Sequence, residues 1–250
     1  MAVKDTFEIK VGSKPITIKT TNWTEQASGS CLVSCGETEV LVTAVLSPFS
    51  RPDIDYFPLT VEYEERFYAA GKIYGSRFMK RESRPTEEAV LNARMVDRAI
   101  RPLFPKDFKK EVQVIVTCLS WDGENDPDIL AMIGASFALS ISNIPWSGPL
   151  GAIRVSKINN EWVFNPSYAQ KKESQMDLTL SAIAAPAGAS LDPSGRERDG
   201  DILVNMIEMG AKEVSEKDVL EAYEVAKKEL KKIIDFQIKA VKKIGKEKDK

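Results

Sequence analysis

Cys31-Leu32-Val33-Ser34-Cys35-Gly36-Glu37-Thr38-Glu39-Val40-Leu41-Val42-Thr43-Ala44-Val45 reads as two β-forming runs around a short glycine-bearing connection. That arrangement specifies an antiparallel hairpin. Upstream, Phe7, Ile9 and Val11 alternate with Glu8 and Lys10, and Ile16 and Ile18 alternate with Thr17 and Lys19. Each run therefore has one wet face and one dry face, and both extend the same sheet. Downstream, Pro52-Asp53-Ile54-Asp55-Tyr56 interrupts the pattern before a further strand over Leu59-Thr60-Val61-Glu62-Tyr63. Val112 to Cys118 is a β-branched strand, and more strands are expected over Gly151 to Ile158, Trp162 to Phe164, Met176 to Ala184 and Ile202 to Ile207.

Helices punctuate these strands. Thr86 is placed to cap one that Glu87 and Glu88 favour at its positive end and that Pro102 stops. A second, from about Asp128 to Ser142, carries small and apolar residues on every face, which implies burial between layers, with Gly134 permitting close approach. A third starts at Ser215, with Leu220, Tyr223, Ala226, Leu230, Ile233, Ile234 and Phe236 at helical spacing. Its lysine-rich end, Lys239 to Lys250, reads as solvated surface. The stretch 186–200 is rich in Pro, Gly and Ser and reads as an exposed, mobile insertion. The pattern as a whole is mixed α+β.

Composition removes several chemistries. The chain has no histidine, which excludes the Ser-His-Asp triad, the Cys-His pair, the HExxH zinc site and any imidazole proton shuttle. Cys31, Cys35 and Cys118 lack the CxxC spacing of a redox or zinc site and read as reduced core residues. Residues 1–10 contain no apolar signal core, and no segment approaches an uninterrupted apolar run of about 18 residues. A cytoplasmic protein, away from membranes, is the expectation.

The charge distribution is informative. From Lys72 to Lys110 there are eleven Lys/Arg against five Asp/Glu, in a chain whose net charge is -2. Such a local surplus suits the holding of a polyanion at one place. Arg94, Arg98 and Arg101 are four and seven residues apart, so on a helix they share a face and form a phosphate grip. The competing reading pairs them with Asp97, Glu87 and Glu88. Just upstream, Phe78 lies between Arg77 and Lys80-Arg81, a plate for a base flanked by charges for the adjoining phosphates of single-stranded nucleic acid, and Arg84 follows.

Phe57-Pro58-Leu59-Thr60-Val61, Tyr68-Ala69-Ala70-Gly71-Lys72-Ile73, Phe78-Met79-Lys80-Arg81-Glu82-Ser83-Arg84-Pro85, Ala93-Arg94-Met95-Val96-Asp97-Arg98, Ile100-Arg101-Pro102-Leu103-Phe104-Pro105, Asn125-Asp126-Pro127-Asp128 and Met132-Ile133-Gly134-Ala135-Ser136 follow one another in order. Together they closely resemble the N-terminal half of the bacterial polynucleotide phosphorylase family. The resemblance implies an RNase PH-like fold, related to the second domain of a small-subunit ribosomal protein (S5), in a homotrimeric ring with RNA in its central pore. It also implies a division into a first core over 1–213 and the start of a helical interdomain segment over 214–250.

For the complete enzyme, the family's reaction is phosphorolysis from the RNA 3′ end. Inorganic phosphate attacks the terminal phosphodiester, a nucleoside diphosphate leaves, and Mg²⁺ neutralises developing charge. The catalytic and phosphate-binding groups belong to a second core, so Mg²⁺ is not expected on this one and no catalytic residue is assigned here. The RNA-guiding residues implied are Phe78, Lys80, Arg81, Arg84, Arg94, Arg98 and Arg101. Met79 stands where the family has a second aromatic, and Arg77 is an addition. The active core's aspartate, with a lysine two residues later and another aspartate six residues earlier, corresponds here to Asp177, Thr179 and Lys171, so one of three groups remains. Ser140 and Ser142 read as packing residues. Two rivals stand beside this reading: a self-sufficient phosphorolytic nuclease using Asp126 with Asp128 or Asp177, and a catalytically silent, exosome-like ring subunit.

Overall fold

The computed structural model describes residues 3–73, 84–185 and 202–249. The expected basic turn with Phe78, Lys80 and Arg81, and the whole of the stretch 186–200, lie outside the described residues.

The opening hairpin forms as its sequence dictates. β3 (Gly29–Cys35) and β4 (Thr38–Ser50) pair antiparallel with Cys35 opposite Thr38, so Gly36 and Glu37 make the turn, and Gly36 takes φ +60°. Only glycine adopts that conformation without a steric cost. β1 (Val3–Val11) and β2 (Lys14–Thr21) add on one side of β3. On the far side of β4 lie β6 (Lys110–Ser120) and then β5 (Leu59–Glu65), giving the order β1-β2-β3-β4-β6-β5. β5 and β6 run parallel, which requires a crossover, and α1 (Glu87–Ile100) lies within it. A second sheet has the order β10-β9-β7-β8, all antiparallel: β7 (Leu150–Ile158), β8 (Glu161–Phe164), β9 (Met176–Ala184) and β10 (Ile202–Ala211).

α2 (Pro127–Ile141) packs on β3 and β4 of the first sheet and on β7 of the second. Every residue from Asp128 to Ile141 is buried, as its all-round apolar pattern requires. A Cβ on Gly134 would come within 2.6 Å of Val42 Cγ2, so the glycine sets how closely α2 approaches β4. Ser136 Oγ donates to Gln237 Oε1 at 2.7 Å and accepts from Leu150 N at 2.9 Å, while Gln237 Nε2 donates to Leu150 O at 2.6 Å. This buried polar knot ties α2 to β7 and to α4 (Glu216–Ile244).

Beyond residue 213, α4 buries Ala222, Ala226, Leu230, Ile233 and Ile234 against β7 and β9. One expectation changes: the lysine-rich end is not simply solvated. Lys248 Nζ donates to the carbonyls of Leu139, Ser140 and Ser142 at 2.7, 3.0 and 2.8 Å, and Lys246 Nζ donates to Ser28 O at 2.7 Å. The last carbonyls of a helix have no intrahelical donors, and an ammonium supplies them at the C-terminus of α2. Neither α3 (Tyr168–Glu173) nor the 3-10 turn Phe67–Ala70 was anticipated from the residues.

Candidate nucleic-acid interface

Thr86 starts α1 as expected: its Oγ accepts from Ala89 N at 3.0 Å and donates to Glu65 Oε2 at 2.7 Å, fixing the helix to the end of β5. α1 buries Ala89, Met95, Val96, Ala99 and Ile100 and leaves its arginines on the outer side. Shared helical spacing does not carry all three to one place. Arg94 and Arg101 line a broad cleft between α1, β5 and the turn Phe67–Ala70, and Arg84 stands at the same cleft. Arg98 points elsewhere, with its Nη1 2.8 Å from Glu208 Oε2 on β10.

Arg101 is heavily engaged. It grips Asp97 with Nε at 2.9 Å and Nη2 at 2.6 Å, and donates to Phe57 O and Leu59 O at 3.3 and 3.1 Å. The reading that paired an arginine with Asp97 therefore holds for Arg101, whereas Arg98 finds Glu208 rather than Glu87 or Glu88. Arg84 and Arg94 are exposed and form no ion pair among the described residues. Arg98, bonded through Nη1 alone, also keeps free N–H donors, but its charge is already paired.

The aromatic residues of this cleft escaped the sequence reading. Trp121 follows β6, at the head of a Gly- and Asp-bearing loop, and Tyr168 opens α3; their ring centroids lie 5.9 Å apart with planes at 80°. A tryptophan at the start of a polar loop was the available signal.

A second cluster lies beside the cleft, where α2 begins. Asp126 caps α2, Asp128 occupies its first turn, Arg154 comes from β7, Lys171 from α3 and Asp177 from β9. Arg154 Nη2 is in direct ion contact with Asp128, and Nη1 lies 3.0 Å from Asp177 Oδ2 and 3.5 Å from Asp126 Oδ2. Lys171 Nζ is 2.7 Å from Asp126 and 3.9 Å from Asp177. Burial and the neighbouring Asp126 outweigh Arg154 and push Asp128 up to about 7. Asp126 is held below the ordinary carboxylate range: burial opposes this, but Arg154 and Lys171 prevail.

The positions matching the family's catalytic pattern, Lys171 and Asp177, thus do converge, and Thr179 stands opposite Arg154 across β7 and β9. Two cations already sit among the carboxylates. That donor set does not fit Mg²⁺, whose oxygen-rich coordination would have to displace Arg154 and Lys171. The metal site that the self-sufficient-nuclease reading assigns to Asp126 with Asp128 or Asp177 is therefore not supported. Arg154 was missed, although an arginine inside the apolar run Leu150–Ile158 had to be buried with partners. Ser142 has the packing role expected of it, its Oγ donating to Leu139 O at 2.8 Å, and Ser140 is likewise buried on α2. The three cysteines are free and buried.

Models of the 3′ exoribonuclease family match residues 12–145 with domain 1 and residues 148–229 with domain 2. Over 245 residues the chain is 44% identical to a polyribonucleotide nucleotidyltransferase of Exiguobacterium sibiricum, covering 98% of this chain and 31% of that protein. It is 45% identical over 242 residues to the polyribonucleotide nucleotidyltransferase of Heliobacterium modesticaldum, covering 97% and 32%. The chain therefore spans about a third of the length of these curated relatives. Among solved structures, rice (Oryza sativa) Rrp46 superposes with a TM-score of 0.65 over 96% of each chain at 14% identity, a likeness of fold.

Proposed function

The chain belongs to the 3′ exoribonuclease family, whose two domains it carries in order, and we propose that it is the RNA-guiding first core of a polyribonucleotide nucleotidyltransferase. The observation that carries this reading is the ion network around Arg154. Where the family's active core presents aspartates and a lysine to substrate, this chain sets Lys171 and Asp177 around a buried guanidinium that a metal at these carboxylates would have to displace. Its contribution is to hold and direct the strand, while inorganic phosphate, Mg²⁺ and the released nucleoside diphosphate belong to a second core.

In this division of labour Phe78 stacks a base, Lys80 and Arg81 take adjoining phosphates, and Arg84 and Arg94 continue the path along the cleft. Arg101 shapes the cleft wall through Asp97, and Arg98, turned to Glu208, lies off that path. The assembly is a homotrimeric ring acting on cytoplasmic single-stranded RNA. No helix among the described residues is long and apolar enough to cross a membrane.

The test is direct. Purified chain given oligo(A), phosphate and Mg²⁺ binds the oligonucleotide and releases no nucleoside diphosphate. Replacing Lys80 and Arg81 by Ala weakens binding and lowers its salt dependence. Release of nucleoside diphosphate, or an unchanged affinity and salt slope, overturns the assignment.

A further inference from the structure

Away from the cleft, the segment that follows α4 is fastened to the far end of α2. Gly245 N donates to Val241 O at 2.7 Å and closes α4. The next residues run beside the end of α2, with Lys246 N donating to Ile141 O at 3.0 Å and Asp249 N to Asn143 O at 2.7 Å. Lys248 is the fastener. Its ammonium has three N–H donors, and its nitrogen lies 2.7, 3.0 and 2.8 Å from the carbonyls of Leu139, Ser140 and Ser142. Those three residues are buried, so water is poorly placed to serve the same carbonyls once the lysine leaves.

Carbonyl dipoles, rather than a carboxylate, hold this cation. Among the described residues Lys248 forms no ion pair. Residues 137–147 carry no charged side chain, and the buried Cys31 thiol on β3 donates to Gly134 O at 3.3 Å. Asp249 accepts from Asn143 Nδ2 at 3.0 Å, Asp5 of β1 pairs with Lys243 at 2.7 Å, and Glu25, Lys242, Lys246 and Glu247 are exposed. Burial draws the Lys248 ammonium down to about 8, from an ordinary lysine value of about 10.4. The side chain therefore spends more of its time as a free amine near neutral pH than an exposed lysine does.

We propose that Lys248 is a modification site, and that acylation of its side-chain nitrogen unfastens the segment 245–249 from the end of α2 while the core stays folded. With an acyl phosphate as donor, the amine nitrogen attacks the acyl carbon and the C–O bond to phosphate breaks. Phosphate leaves with the bonding pair, and the surplus proton on nitrogen passes to water. The amide that forms is uncharged and keeps one N–H in place of three. Two of the three carbonyls lose their donor, and the closed arrangement loses its advantage. This inference goes beyond the RNA reading and does not depend on it.

The whole chain is treated with acetyl phosphate near neutral pH, and the acetylation of each lysine is followed in time by peptide mass spectrometry. Lys248 is expected to react at least about 5-fold faster than Lys239 and Lys242, exposed lysines of the same helix end. Amide hydrogen exchange is then measured on Lys248→Gln, which copies the uncharged amide. Exchange at Lys246 and Asp249 is expected to quicken about 10- to 100-fold, the worth of one hydrogen bond from a charged donor, while Met132 and Ala135 inside α2 keep their protection. Lys248 reacting no faster than Lys239 overturns the proposal. So does unchanged exchange at Lys246 and Asp249 in Lys248→Gln, or an equal loss of protection at Met132 and Ala135.

Discussion

Lys171 Nζ lies 2.7 Å from Asp126 Oδ2, so a cation carried by the short helix α3 closes over the capped end of α2. With Arg154 behind it, this contact turns the start of α2 from an open anion-binding end into the middle of an ion network. Three carboxylates and two cations leave that network one negative charge in excess when all are ionised, and Asp128, the most buried of the acids, is the group that relieves it by holding a proton.

Arg154→Met is expected to destabilise the protein by about 3–5 kcal/mol, because it leaves buried carboxylates without their counter-charge. Asp128→Asn in the same background recovers part of the loss. Urea unfolding of the two single variants and the double variant measures the coupling, and simple additivity would contradict the network.

The raised Asp128 gives stability an unusual pH dependence. Its folded value of about 7 exceeds the unfolded value of about 3.9, so between these the folded state holds a proton that the unfolded chain has released. Stability from this group is present at low pH and is lost as pH rises through that window. Asp126, held low, acts in the opposite sense: its stabilisation is present above the unfolded value and is lost as pH falls through the folded one. Asp128→Asn should flatten the decline between pH 5 and 7 in unfolding free energies measured at intervals across that range. Parallel profiles for wild type and variant would show that Asp128 does not titrate there.

Ser136→Ala removes the hydroxyl that serves both Leu150 N and Gln237. A loss of about 1–3 kcal/mol follows from leaving buried polar groups unpaired. The urea midpoint should fall with an unchanged slope.

Gly29→Ala would set a Cβ 2.2 Å from Ala138 O and 2.9 Å from Ser142 Cβ, driving β3 away from α2. About 1–3 kcal/mol of destabilisation is expected from such overpacking. Gly210→Ala, which meets nothing within 4 Å, should change stability by less than about 0.5 kcal/mol. Thermal or urea unfolding of the pair separates crowding from any general effect of replacing glycine.

Much of the scaffold was legible in the residues because its signals are local. The alternation of Phe7, Ile9 and Val11, the turn at Gly36, the cap at Thr86 and the all-round apolar faces of α2 each report a constraint felt within one or two turns of chain. The short helix α3 offered less: six residues, none of them buried, carry no periodicity, and the capping box at Ser167 and Gln170 was its one local signal. Trp121 was overlooked because a single aromatic in a loop says nothing about what stands opposite, and Tyr168 reaches it from 47 positions further along.

The sequence by itself determined the α+β order of elements, the burial of α2 and the concentration of positive charge between Lys72 and Lys110, since each depends on neighbours along the chain. Tertiary structure alone decided which charges remain available. Arg94, Arg98 and Arg101 have equal claims on one helical face, yet Glu208 of β10 takes Arg98, and Asp97 together with the carbonyls of Phe57 and Leu59 takes Arg101. The physical reason is that an ion pair forms between groups brought together by folding, and Glu208 lies 110 residues from the arginine it neutralises.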